Sequence, residues 1–264
     1  MVVSETSAER VAALLRAFGR GGNAHGEHSV SDLARAVGRE RSQVSRMLKA
    51  LERGGLVEQA ADTRRYRLGW SLLVLATGAG DTPLLRAARP VLQTLVSRVG
   101  EVALLSVQQG NRSLTVLREE SHQSLRAGGW VGRSSPMHCT ASGRALLFDS
   151  DDDLVEALTA EDLLTPISTL AAPANLDELL QRLNNERAQG YSVASEEVEI
   201  GLTSVSTPVR DRNNTITSVI NISGPTSRLI THIEDIAKLL KAGSATIQRT
   251  LTSPEIPGLS TRRG

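Results

Sequence analysis

The feature that most constrains the fold is the order of apolar patterns in the first 70 residues. Apolar side chains recur at helical spacing in three successive segments, residues 7–18, 31–37 and 41–53, and a glycine follows each one. Two runs of strand type come next, at residues 56–59 and 64–69, around a turn at residues 60–63. The pattern predicts three short helices and a β-hairpin that bury their apolar faces against one another. We expect Ser31 to cap the second helix and Gly38 to end it.

The third helical segment has two distinct faces. Its apolar positions, which we expect to be buried, are Val44, Met47, Leu48 and Leu51. The opposite face is polar and basic and consists of Ser42, Arg46, Lys49 and Arg53, with Gln43 and Ser45 at its edges. A helix, a turn, a second helix with a basic face and a basic hairpin, in this order, predict a winged helix-turn-helix. In that fold the second helix of the pair can enter the major groove of DNA.

Two kinds of DNA contact are expected from this helix and hairpin. The first part of the helix should face base edges through Ser42, Gln43 and Arg46, because glutamine pairs well with adenine and arginine with guanine. Phosphate contacts are expected from the surrounding basic residues Arg39, Arg41, Lys49, Arg64 and Arg65, and Ser45 completes the predicted surface. A basic helix face by itself is more often simply solvated. It is the order of the neighbouring elements that favours DNA binding.

The distribution of charge along the chain also points to a polyanionic partner. The whole chain has a formal net charge of only +1. Residues 1–70 contain 12 Lys and Arg against 8 Asp and Glu, a net charge of +4, whereas residues 71–264 contain 18 against 21, a net charge of −3. A basic head on a mildly acidic body favours double-stranded DNA as the partner of the head.

The length of 264 residues suits two domains. We expect a DNA-binding domain over residues 1–69, a linker helix over 70–80, a second domain over 81–252 and a disordered tail over 253–264. The linker sequence WSLLVLA carries too much apolar surface for an exposed connector, so we expect it to pack against a second subunit, the alternative being its own chain. No apolar run suits a membrane span and no signal peptide opens the chain, so we expect a cytoplasmic protein.

From residue 101 onward the apolar pattern changes from helical spacing to alternation. Strands are predicted at residues 101–110, 112–120, 202–211 and 215–224. Helices are predicted from about Thr140, around residues 151–158 and 175–190, and through residues 227–251. The expected fold class is therefore α+β, with a winged helix-turn-helix, a linker helix and a mixed α/β domain whose sheet is flanked by helices.

Four segments, in this order and spacing, resemble those of IclR-type transcriptional regulators. They are LARAVGRERSQVSRMLKALERGGLVE with YRLG, then GEVALLSV, then GRSSPMHCTASGRALL, and finally RAQGYSVASEEVEIGLTSVSTPV with NISGPTSRL. The resemblance covers residues 10–251 and implies a winged helix followed by a GAF-like, small-molecule-sensing domain. It implies a sequence-specific regulator, a repressor in many such proteins, that works as a dimer or tetramer on paired DNA half-sites.

The resemblance also implies an effector pocket in the second domain. Mapped position by position, the pocket residues are Met137, Ala194, Leu202, Ser204, Asn221 and Ser223. Residues 129–132 and 140–143, which include Trp130, Thr140 and Ala141, should lie beside them. Family effectors are small organic molecules, often carboxylates, and free backbone N–H groups near Thr140 would suit a carboxylate. Many relatives have aspartate where Ala194 stands, cysteine where Ser204 stands and lysine where Arg144 stands. The effector of a better-known relative is therefore not assumed for this chain.

The sequence offers no convincing catalytic pair, metal set or cofactor motif. Adjacent His138 and Cys139 would need an imidazole aimed at the thiol, so we expect a buried, inert thiol instead. A single cysteine and scattered histidines exclude a disulfide and a Cys-rich zinc site. We expect no catalytic residue, no metal, no cofactor and no enzymatic activity. The alternative that stays open is an enzyme or ligand-binding domain that carries the winged helix as a protein-interaction module.

Overall fold

The computed structural model describes residues 6–19, 26–72, 74–75, 83–120, 131–164 and 168–252. The chain divides into two compact units, residues 1–82 and 83–264, which are described separately. Within the described part, no helix is both long and apolar enough to cross a lipid bilayer.

The described part of the N-terminal unit contains three helices and one antiparallel hairpin, which is followed by helical residues at 70–72 and 74–75. The helices are α1 (Ser7–Ala17), α2 (Val30–Ala36) and α3 (Arg41–Arg53), and the strands are β1 (Val57–Gln59) and β2 (Tyr66–Leu68). Their apolar faces meet in a single cluster in which Leu14, Leu33 and Leu48 are fully buried. This arrangement confirms the predicted winged helix-turn-helix.

The predicted cap of α2 is wrong by two residues. The N-cap is Ser29, whose hydroxyl accepts a hydrogen bond from the Asp32 backbone N–H, while the Asp32 carboxylate accepts one from the Ser29 backbone N–H. This reciprocal pair needs an acidic or amide residue three positions after the cap. Ser31 has Ala34 at that position and cannot form it.

The C-terminal unit is built on one antiparallel sheet. Its strands are β3 (Val102–Gln109), β4 (Arg112–Glu119), β5 (Ser134–Pro136), β6 (Ser192–Ser195), β7 (Leu202–Arg210) and β8 (Ile216–Pro225). Their order across the sheet is β5-β4-β3-β8-β7-β6. Its helices are α4 (Pro83–Val99), α5 (Ala141–Leu146), α6 (Asp152–Leu163), α7 (Leu176–Gln189), α8 (Thr226–Leu229) and α9 (Ile233–Thr252), with a 3₁₀ turn at Ile230–His232. The predicted α+β class is confirmed.

The two faces of this sheet differ because successive side chains of a strand point to opposite sides. On one face, aliphatic residues such as Leu105, Val205 and Ile220 pack with α4 and α9 in one buried cluster. On the other face, a second apolar cluster joins Val219 to α5, α6 and α7. Beside that cluster the same face is rich in hydroxyl and amide side chains, and these line a cavity.

Three details of this unit differ from the prediction. Strands β5 and β6 were not expected, because they span only three and four residues and carry little apolar pattern. The last predicted helix is interrupted by the 3₁₀ turn at Ile230–His232, which the apolar spacing does not mark. The predicted tail, Trp130 and most of the predicted linker lie outside the described residues.

Candidate functional site

The first candidate surface is the outer face of α3. Burial of Val44, Leu48 and Leu51 fixes the rotation of this helix, so the positions between them face outward. Arg41, Ser42, Gln43, Arg46 and Lys49 are exposed, whereas Arg39 and Ser45 are half-buried. Within the described part of the chain, Arg46 and Lys49 form no ion pair. The predicted base-reading residues Ser42, Gln43 and Arg46 are therefore accessible on the outer side of α3, with Ser45 at its half-buried border.

The three arginines of the hairpin differ in their ion pairs. Arg65 lies 3.7 Å from the Asp32 carboxylate, and Arg67 lies 3.1 Å from Glu58 on the paired strand. Arg64 is exposed at the turn, with a left-handed backbone (φ 55°), and forms no ion pair among the described residues. Thr63 donates to the Glu27 carboxylate at 3.1 Å and so ties the turn to the segment before α2. Of the two predicted phosphate contacts in the hairpin, Arg65 lies near a carboxylate of the described part of the protein and Arg64 does not.

The second candidate site is a cavity on the polar face of the large sheet, with about 580 Å³ of atom-free space including its opening to solvent. It brings together, from segments far apart in sequence, the predicted residues Thr140, Ala141, Ala194, Leu202, Ser204, Asn221 and Ser223. Met137 does not line it, because its fully buried side chain belongs to the apolar cluster with Leu146 and Leu179. Trp130 lies outside the described residues.

The cavity also has walls that were not predicted. They are Leu104, Ser106, Thr115, Arg133, Ser135, Ser142 and Val198. The residues from β3 and β4 alternate with the apolar core positions of those strands, and this alternation is the signal that could have identified them. Among the described lining residues, Arg133 is the only ionisable one, so the wall carries one positive charge.

Most of the polar side chains of the cavity are paired with each other or with the backbone. The hydroxyls of Ser204 and Ser223 are 3.0 Å apart, and those of Ser106 and Thr115 are 3.4 Å apart. Asn221 differs, because its amide oxygen is buried and has no hydrogen-bond partner among the described residues. A buried acceptor of this kind is uncommon in folded proteins and calls for an explanation.

The start of α5 closes one side of the cavity. The Thr140 hydroxyl accepts from the Gly143 backbone N–H at 3.0 Å and donates to the Pro136 carbonyl at 2.6 Å. The Gly143 N–H, one of the groups expected to be free for a carboxylate, is therefore already satisfied. Gly143 must be glycine here, because an added Cβ would lie 2.5 Å from the Met137 backbone.

Behind the cavity, a fully buried arginine joins four parts of the chain. Arg144 of α5 lies 2.9 Å from Glu186 of α7 and 2.7 Å from Glu197 of the loop after β6. It also donates to the carbonyls of His138 and Val193 at 2.9 and 2.6 Å. Burial raises the pKa of Glu197, although its two arginine neighbours, Arg144 and Arg182, act in the opposite direction. These contacts fix the positions of α5, β6 and the following loop, which supply parts of the cavity wall, relative to one another.

The neighbouring His138 and Cys139 do not form a nucleophilic pair. Both are buried, and burial raises the pKa of the Cys139 thiol to about 12, so the thiol stays protonated at neutral pH. Burial also lowers the pKa of His138, whose Nδ1 has no partner in the described part of the chain. Among the described residues, no group of three or more acidic, histidine or cysteine side chains could hold a metal ion.

Each of the two units matches a family model of known proteins. The family model "IclR helix-turn-helix domain" matches residues 7–61, and "Bacterial transcriptional regulator IclR C-terminal" matches residues 77–249. The HTH-type transcriptional repressor AllR of Salmonella paratyphi A is 30% identical over 225 residues, which cover 84% of this chain and 80% of the relative.

Solved structures share the fold along nearly the whole chain. The IclR transcriptional regulator from Alicyclobacillus acidocaldarius matches with a TM-score of 0.79 at 23% identity, covering 94% of this chain and 99% of that chain. An IclR homologue from Microbacterium hydrocarbonoxydans, solved in complex with 4-hydroxybenzoate, matches with a TM-score of 0.75 at 22% identity, covering 91% and 98%. The chain therefore belongs to the IclR family of bacterial transcriptional regulators, with a DNA-binding helix-turn-helix domain and a C-terminal effector-binding domain.

Proposed function

We propose that a small organic anion binds the cavity of the C-terminal unit and changes the affinity of the α3 surface for an operator. The observation that carries this proposal is the cavity itself, where Arg133 is the one charged side chain among the described residues of a wall of hydroxyl, amide and aliphatic groups. A cation beside neutral hydrogen-bonding groups and aliphatic side chains favours a small carboxylate. The neighbour bound to 4-hydroxybenzoate is consistent with an organic acid of modest size.

The proposed DNA contacts divide into two groups. Ser42, Gln43 and Arg46 read base edges, because they lie on the exposed first half of α3. The proposed phosphate contacts are Arg39, Arg41, Lys49, Arg64 and Arg65, with Ser45 at the border of the surface. The relatives that match over most of their length are named repressors, so binding of this surface to an operator would block transcription.

We also propose that the protein acts as a dimer, or a dimer of dimers, on paired half-sites in the cytoplasm. The exposed fractions of Leu68, Trp70 and Leu75, at the end of the hairpin and in the helical segment after it, are 46%, 71% and 63%. Such a concentration of exposed apolar side chains is typical of a protein interface. The proposed domains are residues 1–69, a linker over 70–80, and an effector-binding domain over 81–252.

Sedimentation analysis tests the dimer. Trp70→Glu should shift the protein toward monomer, because the charge would be buried in the proposed interface. Leu154→Glu on α6, where the parent leucine is 46% exposed, is the matched control and should leave the assembly unchanged. Equal assembly of both variants would contradict the use of this surface.

A thermal-shift screen of organic acids tests the effector site. A ligand at 100 times its dissociation constant stabilises the protein by about 2.7 kcal/mol. An acid that raises the melting temperature of the parent should not do so for Arg133→Ala, which removes the charge of the cavity. Arg98→Ala, which removes an exposed arginine of α4 that does not line the cavity, is the matched control. Equal stabilisation of both variants would place the site elsewhere.

A further inference from the structure

The amide oxygen of Asn221 differs from the hydroxyl groups of the cavity in its hydrogen bonding. The hydroxyls of Ser204, Ser223, Ser106 and Thr115 are within 3.0 to 3.4 Å of one another in pairs, and that of Ser142 accepts a hydrogen bond at 3.1 Å. The Asn221 amide oxygen has no such partner within the described part of the chain, although the residue is only 6% exposed. Among the described residues that line the cavity, Asn221 therefore holds the one buried acceptor whose hydrogen-bonding capacity is unused.

The position of Asn221 makes this residue part of the cavity wall. It lies on the central strand β8, paired in register with Leu104 of β3 and Ser206 of β7. Leu104 lines the cavity beside it, and so does Ser223, two residues further along the same strand face. A buried acceptor without a donor destabilises a folded protein, so one that belongs to a cavity-lining residue calls for an explanation.

The charged group of the cavity comes from a different part of the sheet. The Arg133 carbonyl accepts from Thr115 of β4 at 2.9 Å, which places Arg133 at the β5 edge. Strands β4 and β3 separate that edge from β8. Three strand spacings correspond to roughly 14 Å between the two backbones. One ligand can engage both residues only if its anionic group and its hydrogen-bond donor lie at different ends.

We propose that Asn221 selects, among the small anions that enter this cavity, those that carry a neutral O–H or N–H donor away from the anionic group. This inference rests on the proposed function, in which the same cavity binds an anionic effector. A donor satisfies the Asn221 oxygen, whereas a hydrogen atom on carbon or an ether oxygen at that place leaves it buried and unpaired. A site that forms a hydrogen bond with one ligand binds an analogue without that group much more weakly, because the polar group of the site is then buried and unpaired.

Matched acids test the selection. Dissociation constants are measured by calorimetry for 4-hydroxybutyrate, 4-methoxybutyrate and butyrate, and for 4-hydroxybenzoate, 4-methoxybenzoate and benzoate. In at least one series the hydroxy acid should bind about tenfold or more tightly than its methoxy and unsubstituted partners. Asn221→Leu, which keeps the approximate size and removes the acceptor, should bring the three members within about twofold of each other.

Two further variants complete the design. Asn185→Leu, the same substitution at an exposed position of α7, should keep the discrimination of the parent. Asn221→Ala replaces Asn221→Leu if the larger side chain prevents folding. In the free protein, Asn221→Leu should leave the melting temperature unchanged or raise it, because it removes an unsatisfied acceptor, whereas a purely structural asparagine would lower it.

The possible outcomes distinguish failure of selection by Asn221 from failure of the proposed anion site. If acids bind but the hydroxy and methoxy members bind equally, or if Asn221→Leu keeps the preference, selection by Asn221 is wrong and the anion site stands. If no acid in the series or in the wider screen binds, the anion site itself is contradicted and this inference falls with it.

Discussion

The two units of this chain place their polar residues in opposite ways. In the N-terminal unit an aliphatic core holds the helices, and Arg46 and Lys49 stand exposed on α3 without ion pairs among the described residues. In the C-terminal unit the informative polar groups are inside, where Arg144 is fully buried and Asn221 is nearly so. A surface that reads a long polyanion can leave its charges in water, whereas a site for a small molecule must organise polar groups in its interior.

The largest effect that separates the two units is expected at Arg144. Arg144→Met leaves Glu186 and Glu197 buried without their central cation, and breaking a buried pair of this kind costs about 3–5 kcal/mol. The free energy of unfolding of the C-terminal unit should fall by that amount in denaturant titration, while the N-terminal unit is unaffected.

Arg182 provides the control for this prediction. It also pairs with Glu197, at 2.8 Å, but its side chain is 37% exposed. Arg182→Met should therefore cost no more than about 1 kcal/mol, as for other exposed pairs. If the two variants lose the same stability, the buried network does not organise the C-terminal unit.

The faces of α3 could be predicted from the sequence because they depend only on local spacing. The cavity could be predicted only in part, because it is assembled by strand pairing between distant segments. Arg133 was missed for this reason, since it reaches the cavity only through the pairing of its own segment with β4. The resemblance alone predicts Met137 at the cavity, whereas close packing under α5 directs its side chain into the core.

The next largest effect concerns sequence reading by the N-terminal unit. Arg46→Ala should reduce the preference for the operator over other DNA by about 1–3 kcal/mol, because it removes a contact to base edges. Competition binding with a selected operator and a scrambled duplex measures this preference. Arg53→Ala, further along the same helix, is the control and should keep the preference. Unchanged discrimination in Arg46→Ala would contradict base reading by this face.

The smallest effect distinguishes the two arginines of the hairpin. Arg64→Ala should weaken binding to all DNA sequences and reduce the slope of log affinity against log salt by about 1, as expected for one phosphate contact. Arg65→Ala should change the slope less, because Arg65 already lies 3.7 Å from Asp32. Salt titrations of both variants against one duplex decide this point. A larger change for Arg65→Ala would show that its ion pair opens when DNA binds.

In the proposed function, a ligand in the interior site of one unit controls the DNA affinity of the exterior surface of the other. The most direct test is the operator affinity of the parent and of Ser204→Phe, each with and without a saturating acid taken from the thermal-shift screen. The acid should change the operator affinity of the parent by about 5- to 150-fold. No change is expected for Ser204→Phe, because the larger side chain would occupy the cavity that Ser204 lines. Equal operator affinity of the parent with and without bound acid, or a full response in Ser204→Phe, would contradict control of DNA binding by this cavity.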